Sequence, residues 1–224
     1  MQKLTFSTVT LALLRQVVNL QERDASEIWL ASAEIQLSDR ERLQLEIIQS
    51  YLIHEKLHLL NEDTLWARAI YPLLLIAEKT GIRAWSEVPL SAVYSQFEVD
   101  GIADEVMGYS VAGRLEMPYL VVVETKHGVE NQNPIFQLYA QLLAAARLNW
   151  EGDSLQDSKA ERAPMQEIFG CYTIADSWTF VRAEVSEIES DRPTLKVESS
   201  QEYSEKSDAE TILKVLKSIV AKRG

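Results

Sequence analysis

The run Tyr119-Leu-Val-Val-Val-Glu-Thr-Lys126 limits what this chain can fold into more than any other stretch. Residues 120–123 are all apolar, so a strand built from them offers no polar side chain to water on either face. Such a strand lies centrally in a sheet covered on both sides, as in a layered α/β protein. Charge appears only at its end. Glu124 and Lys126 are two positions apart, which puts both on one face.

The flanking segments fit that plan. Residues 8–20 are apolar-rich, lack Gly and Pro, and read as helix. Ser38 and Glu41 stand three apart as in a capping box, and the helix they open is expected to reach about residue 60. Asn61 or Asp63 can cap a second helix that Gly81 stops and Pro72 kinks. Residues 87–94 and 97–109 have strand character, 111–117 form a turn region, and 118–126 form the next strand. Pro134 suits the first turn of a helix running to about 149. Residues 151–163 read as a loop, 167–174 and 178–185 as a hairpin, 194–198 as a strand, and 207–222 as a closing amphipathic helix. The order predicts a mixed α/β domain over 61–224, with helices on a central sheet, preceded by a helical N-terminal extension over 1–60.

The run Val99-Asp-Gly-Ile-Ala-Asp104 supplies a second acid. A hairpin centred on Gly113-Arg114-Leu115 sets Asp104 opposite Glu124, and opposed residues share a face. Asp104, Glu124 and Lys126 then converge. Mg²⁺ takes one or two protein carboxylates together with substrate phosphate, so Asp104 and Glu124 are the candidate metal ligands. The ion would activate a water, and Lys126 would orient that water or offset charge in the transition state. Acid-x-Lys alone is a weak signal, since Asp157-Ser-Lys159 also matches it. Its place at the end of a buried strand gives it weight.

Composition bounds the partners. The formal net charge is −12, with 22 basic against 34 acidic residues, which makes the chain as a whole a poor binder of polyanions. A nucleic acid would need a local basic patch, or a protein partner that supplies one. No stretch approaches the roughly 18 consecutive apolar residues of a membrane span. One cysteine, Cys171, and the lack of a secretory signal point to a cytoplasmic protein.

A rival motif is His54-Glu55-Lys56-Leu57-His58. On a helix its histidines share a face and can grip Zn²⁺, with Glu55 as general base. Glu78, further along, would be the third ligand of a metalloprotease of this type. Lys56 beside the base, and the absence of a preceding sheet, rank this reading second.

The motifs from Asn61 onward resemble the PD-(D/E)XK nuclease superfamily, and more narrowly the N-terminal nuclease domain of type I restriction-enzyme subunits and related small bacterial proteins. The residues that carry the resemblance are Glu62 at a helix start, Gly101-Ile-Ala-Asp104, and Val121-Val-Val-Glu124-Thr-Lys126. A helix with Phe136-Gln137-Leu-Tyr-Ala-Gln141 follows, then Phe169-Gly-Cys-Tyr-Thr173 with Trp178-Thr-Phe180. The resemblance implies a restriction-endonuclease-like core and Mg²⁺- or Mn²⁺-dependent hydrolysis of phosphodiester bonds, in DNA first. Asp104 and Glu124 would hold the metal, Lys126 would assist the water, Glu62 would lie near the metal or orient Lys126, and Gln137 would face the active site or the nucleic acid backbone. Such cores often cut two strands as pairs, so a homodimer fits it. A nuclease-like scaffold that binds without cleaving is the remaining alternative. His127-Gly128 departs from the pattern, standing where such proteins often carry more lysines.

Overall fold

The computed structural model describes residues 1–25, 34–126, 133–156 and 163–222. Residues 127 and 128, and 157–162 of the expected loop, lie outside them. Among the described residues, eight strands form one mixed sheet: β1 (Gln2–Thr5), β2 (Asn19–Asp24), β3 (Ile82–Val93), β4 (Phe97–Val111), β5 (Arg114–Lys126), β6 (Met165–Ile174), β7 (Ser177–Ser186) and β8 (Thr194–Ser204). The helices are α1 (Leu11–Val17), α2 (Asp39–Leu52), α3 (Glu62–Leu65), α4 (Tyr71–Ala77), α5 (Pro134–Gln156) and α6 (Glu205–Ala221). Strand order is β1-β4-β5-β6-β7-β8-β2, with β3 also paired to β4. As its sequence requires, β5 is central, antiparallel to β4 and parallel to β6.

The first 24 residues differ from the helical extension their sequence suggests. Helix covers only Leu11–Val17, and the segments on either side are strands at the two ends of the sheet order. β1 pairs in parallel with β4, and β2 with β8. Both are short, and β2 is almost wholly exposed. Their strand character comes from pairing with residues far away in sequence, which local periodicity does not register. The sheet is curled, so both edges close on α5. Leu4, Phe6, Val9, Leu14, Val17 and Val18 share one apolar core with that helix.

α5 fills the inside of the curl. Leu138, Tyr139, Ala140 and the run from Leu142 to Ala146 are all buried, an apolar surface that goes right round the helix. The second core lies on the outer face, where α6 packs on β5, β7 and β8, α4 on β3, and α2 on α4 and α6. β5 divides its apolar run between the two. Val122 faces α5, while Val121 and Val123 face outward. The single cysteine, Cys171, lies buried in the outer core.

α2 begins with the expected capping box. The Ser38 hydroxyl accepts from the Glu41 N–H, and the Ser38 N–H donates to the Glu41 carboxylate at 2.7 Å. The helix stops at Leu52, short of the expected 60. Ile53 is already 56% exposed, and the next buried side chain, Leu57, sits on a separate 3₁₀ turn. Asn61 then caps α3, accepting from Thr64 N–H at 2.9 Å. Between α3 and α4 the chain widens into a π turn over Trp66–Ile70, with the Tyr71 N–H bonded to the carbonyl of Trp66. Pro72, which has no N–H to give, lies just past it, so the expected kink takes this form.

Among the described residues, no helix is long and apolar enough to cross a membrane.

Candidate functional site

Two strand devices build the site. The first is the β4–β5 hairpin. Its turn is the pair Ala112-Gly113, with φ of 52° and 75°, the left-handed geometry that matches a two-residue hairpin. Val111 therefore pairs with Arg114, earlier than a hairpin centred on Arg114 would allow. The register then shifts on both sides of Gly108, so that Met107 meets Val121 and Glu105 meets Val123. The pairing ends at Glu105 and Val123, and the same register carried one step on sets Asp104 across from Glu124. The expected register at the site is reached through a bulge rather than through a longer turn.

The second device is a change of faces. On β3, Ile82 and Ala84 point to the outer core, yet Val88, Leu90 and Ala92, of the same parity, point to the inner one. The crossing falls at Glu87, which has φ of 51°. β4 crosses at the same level, since Ala103 and Val106 are both in the inner core. Here β4 also changes neighbours along one edge, from β1, which pairs as far as Asp100, to β5, which pairs from Glu105. Gly101 lets this happen. A Cβ there, at φ 153°, would come within 2.5 Å of the Phe6 ring. Asp104 and Glu105 thus stand at a break in the sheet, with backbone free to be used by side chains. The Thr125 N–H donates to Asp104 Oδ2 at 2.7 Å.

The charged groups interlock. Lys126 Nζ lies 2.9 Å from Glu124 Oε1 and 3.7 Å from Glu62 Oε1, and it donates to the Thr125 carbonyl at 3.1 Å. Its side chain is 16% exposed and that of Glu124 is 2%, while Glu62 is 46% exposed at the rim. Gln141 on α5 donates to Glu124 Oε2 at 2.6 Å. Burial, and then the neighbouring charge of Asp104, raise the Glu124 carboxyl to about 7. Burial also raises Asp104, against the Thr125 hydrogen bond and Lys126. Lys126 feels the opposite balance. Burial disfavours its charge, but Glu124, Asp104 and Glu62 outweigh that and raise its pKa. Two carboxyls that resist ionising side by side, with one ammonium beside them, form a pocket short of positive charge.

Asp104, Glu124, Lys126 and Glu62 are therefore brought together. Gln137 is not the glutamine that meets them. It is buried one turn earlier on α5, and Gln141 makes the contact. The spacing of four on a helix puts both on one side, so the choice between them depended on where the helix sat. Sequence reasoning also missed Glu105. It follows Asp104 directly where β4 changes faces, and there it is fully buried and accepts from the Thr125 hydroxyl at 3.3 Å.

The rival zinc motif is not assembled. α2 ends before His54, which lies in a turn, Glu55 lies outside any element, and His58 belongs to a separate 3₁₀ turn, so the two histidines do not share a helical face. The side chain of His58 lies outside the described residues. Glu78 accepts from the Ala84 N–H at 3.0 Å and pairs with Arg83 at 3.4 Å.

Asp104 and Glu124 are the groups able to hold a cation. Both are hard oxygen donors, and two is the carboxylate number Mg²⁺ commonly takes from protein. Among the described residues, no group of three His, Cys, Asp or Glu side chains is disposed to hold a metal ion. The chain matches no family model and no curated protein.

Proposed function

We propose that this chain is a metal-dependent nuclease with a restriction-endonuclease-like core, hydrolysing phosphodiester bonds with DNA as the expected substrate. One observation carries the reading: the acids Asp104 and Glu124 meet beside Lys126 at a break in the sheet. The raised carboxyl pKa values fit a site completed by a divalent cation, because added positive charge favours the ionised form of both acids. A Mg²⁺ or Mn²⁺ ion held there would supply Lewis-acid charge and a water of lowered pKa.

The chain's own groups have distinct parts. Asp104 is fixed by the Thr125 N–H and Glu124 by Gln141, so neither carboxylate needs to reorganise on binding. Lys126 turns its ammonium to the same place, where it can donate to a phosphate oxygen as negative charge builds. Glu62 holds Lys126 from the solvent side. The net charge of −12 opposes DNA binding, so the cation and Lys126 must provide most of the local attraction.

The test is a cleavage assay on single- and double-stranded DNA and RNA with Mg²⁺ and Mn²⁺, running Asp104→Ala beside the parent. The parent should cut at least one substrate, only with metal, and the variant none. A folded parent that cuts nothing would favour a binding scaffold over an enzyme.

A further inference from the structure

α2 has two apolar faces, and the core uses only one. Leu45, Ile48 and Leu52 are buried on the inner side. Gln49 ties the helix to α6, its amide donating to the carbonyls of Glu205 and Lys206. Leu43, Ile47 and Tyr51 stand four apart, which lines them up on the side turned away from the core. They are 57%, 46% and 65% exposed. Ile53 and Leu59, just beyond the helix, are exposed as well. Single exposed apolar residues need no explanation, whereas a row of three on one helix makes a patch. The flanks are fixed, since Arg42 pairs with Glu210 at 2.7 Å and Glu41 pairs with Lys217, both partners on α6. The row is therefore held in place and offered outward.

We propose that this row packs against the same row of a second copy of the chain, the two α2 helices crossing antiparallel about a twofold axis at Ile47. A row spaced by four is a ridge, and two such ridges interdigitate at a crossing angle of about −50°. A ridge fits a second helix rather than an extended peptide, which takes a groove or a sheet edge. Self-pairing suits this sequence because Leu43 and Tyr51 are equidistant from Ile47, so Leu43 of each copy meets Tyr51 of the other. The ends match in charge as well. Antiparallel pairing brings Asp39 and Arg40, at the start of one helix, beside Lys56 and Glu55, past the end of the other. It also opposes the two helix dipoles. A 14-residue helix is on the order of 20 Å long, so the contact is smaller than the roughly 800 Å² per partner of a standard interface. The dimer is therefore a dissociable one, with a Kd of about 10–100 µM. The contact takes no residue from the acid–lysine site, so it holds whether or not the chain cleaves DNA.

Sedimentation equilibrium on the full chain, from about 5 µM to about 500 µM and at about 0.15 M salt to screen the −12 charge that each copy carries, tests this. The parent should pass from monomer to dimer within that range. Ile47→Glu and Tyr51→Glu, both at exposed positions, should keep the fold and weaken dimerisation by at least about tenfold. Val111→Glu, at an exposed position on the β4–β5 hairpin, should leave it unchanged. Ile47→Cys locates the axis. A short bis-maleimide should join two copies through that position and should not join two copies of the parent, whose one thiol, Cys171, is buried. A parent that stays monomeric throughout, a dimer that survives Ile47→Glu, association that runs on past the dimer, or no cross-link in Ile47→Cys would overturn the proposal.

Discussion

Lys126→Ala should lower metal-dependent cleavage by about 10²–10³-fold, the cost of removing one donor aimed at developing charge. Lys126 is the base that the structure holds against Glu124, and three oxygens fix its ammonium: Glu124 Oε1, Glu62 Oε1 and the Thr125 carbonyl. No flexible search precedes its contact with substrate. The same substitution strips Glu124 of its positive neighbour. Burial and Asp104 already raise that carboxyl to about 7, and Lys126 is what opposes them. In Lys126→Ala the carboxyl should therefore rise further, and metal binding should weaken near neutral pH. Repeating the assay at higher pH, which favours the ionised form of Glu124 in both proteins, separates the two effects. The activity loss should persist there although metal affinity recovers. Full recovery of cleavage would show that Lys126 serves only to keep Glu124 ionised.

Trp178→Ala should destabilise the fold by about 3–5 kcal/mol, the usual cost of deleting a buried tryptophan. Trp178 is fully buried in the outer core, and its indole donates to Glu205 Oε2 at 3.1 Å. Deleting it leaves a cavity and an acid without its donor. For a chain of this size each kcal/mol shifts the melting temperature by about 2–4 °C, so a fall of roughly 6–20 °C is expected by calorimetry. A fall under about 2 °C would mean that the outer core is not packed as described.

Glu205 adds a pH dependence. Burial raises its carboxyl to about 8, with the Trp178 hydrogen bond opposing and Asp176 reinforcing. Between pH 4.5 and about 8 the unfolded chain loses this proton while the folded one keeps it, so stability falls as pH rises through that window. Glu205→Gln should gain stability relative to the parent as pH rises, and the difference should level off above about 8.

What could be read from sequence follows the range of the forces involved. β5 was legible because four apolar residues in a row dictate burial on both faces. The capping box of α2 was legible because Ser38 and Glu41 contact each other directly. The Asp104, Glu124 and Lys126 set was legible because two of its members share a strand and the third lies one hairpin away. β1 and β2 were hidden, since their partners Phe97 and Thr194 stand far along the chain. Gln141 and Glu105 were hidden for a related reason. A helix must be docked before it is known which glutamine meets Glu124, and Glu105 is placed by the change of faces level with Glu87, which strand alternation alone does not show. The zinc motif failed because four residues of spacing mean one face only if the helix continues, and α2 ends first.

Mn²⁺ binding to the parent, Asp104→Asn and Glu124→Gln, followed by loss of the free-ion signal in electron paramagnetic resonance, probes the shared cation most directly. Each carboxylate should contribute to one and the same ion. The parent should then show one site, and either substitution should weaken it by at least about tenfold. Equal Mn²⁺ affinity in all three proteins, or loss in one variant alone, would contradict a cation held jointly by Asp104 and Glu124.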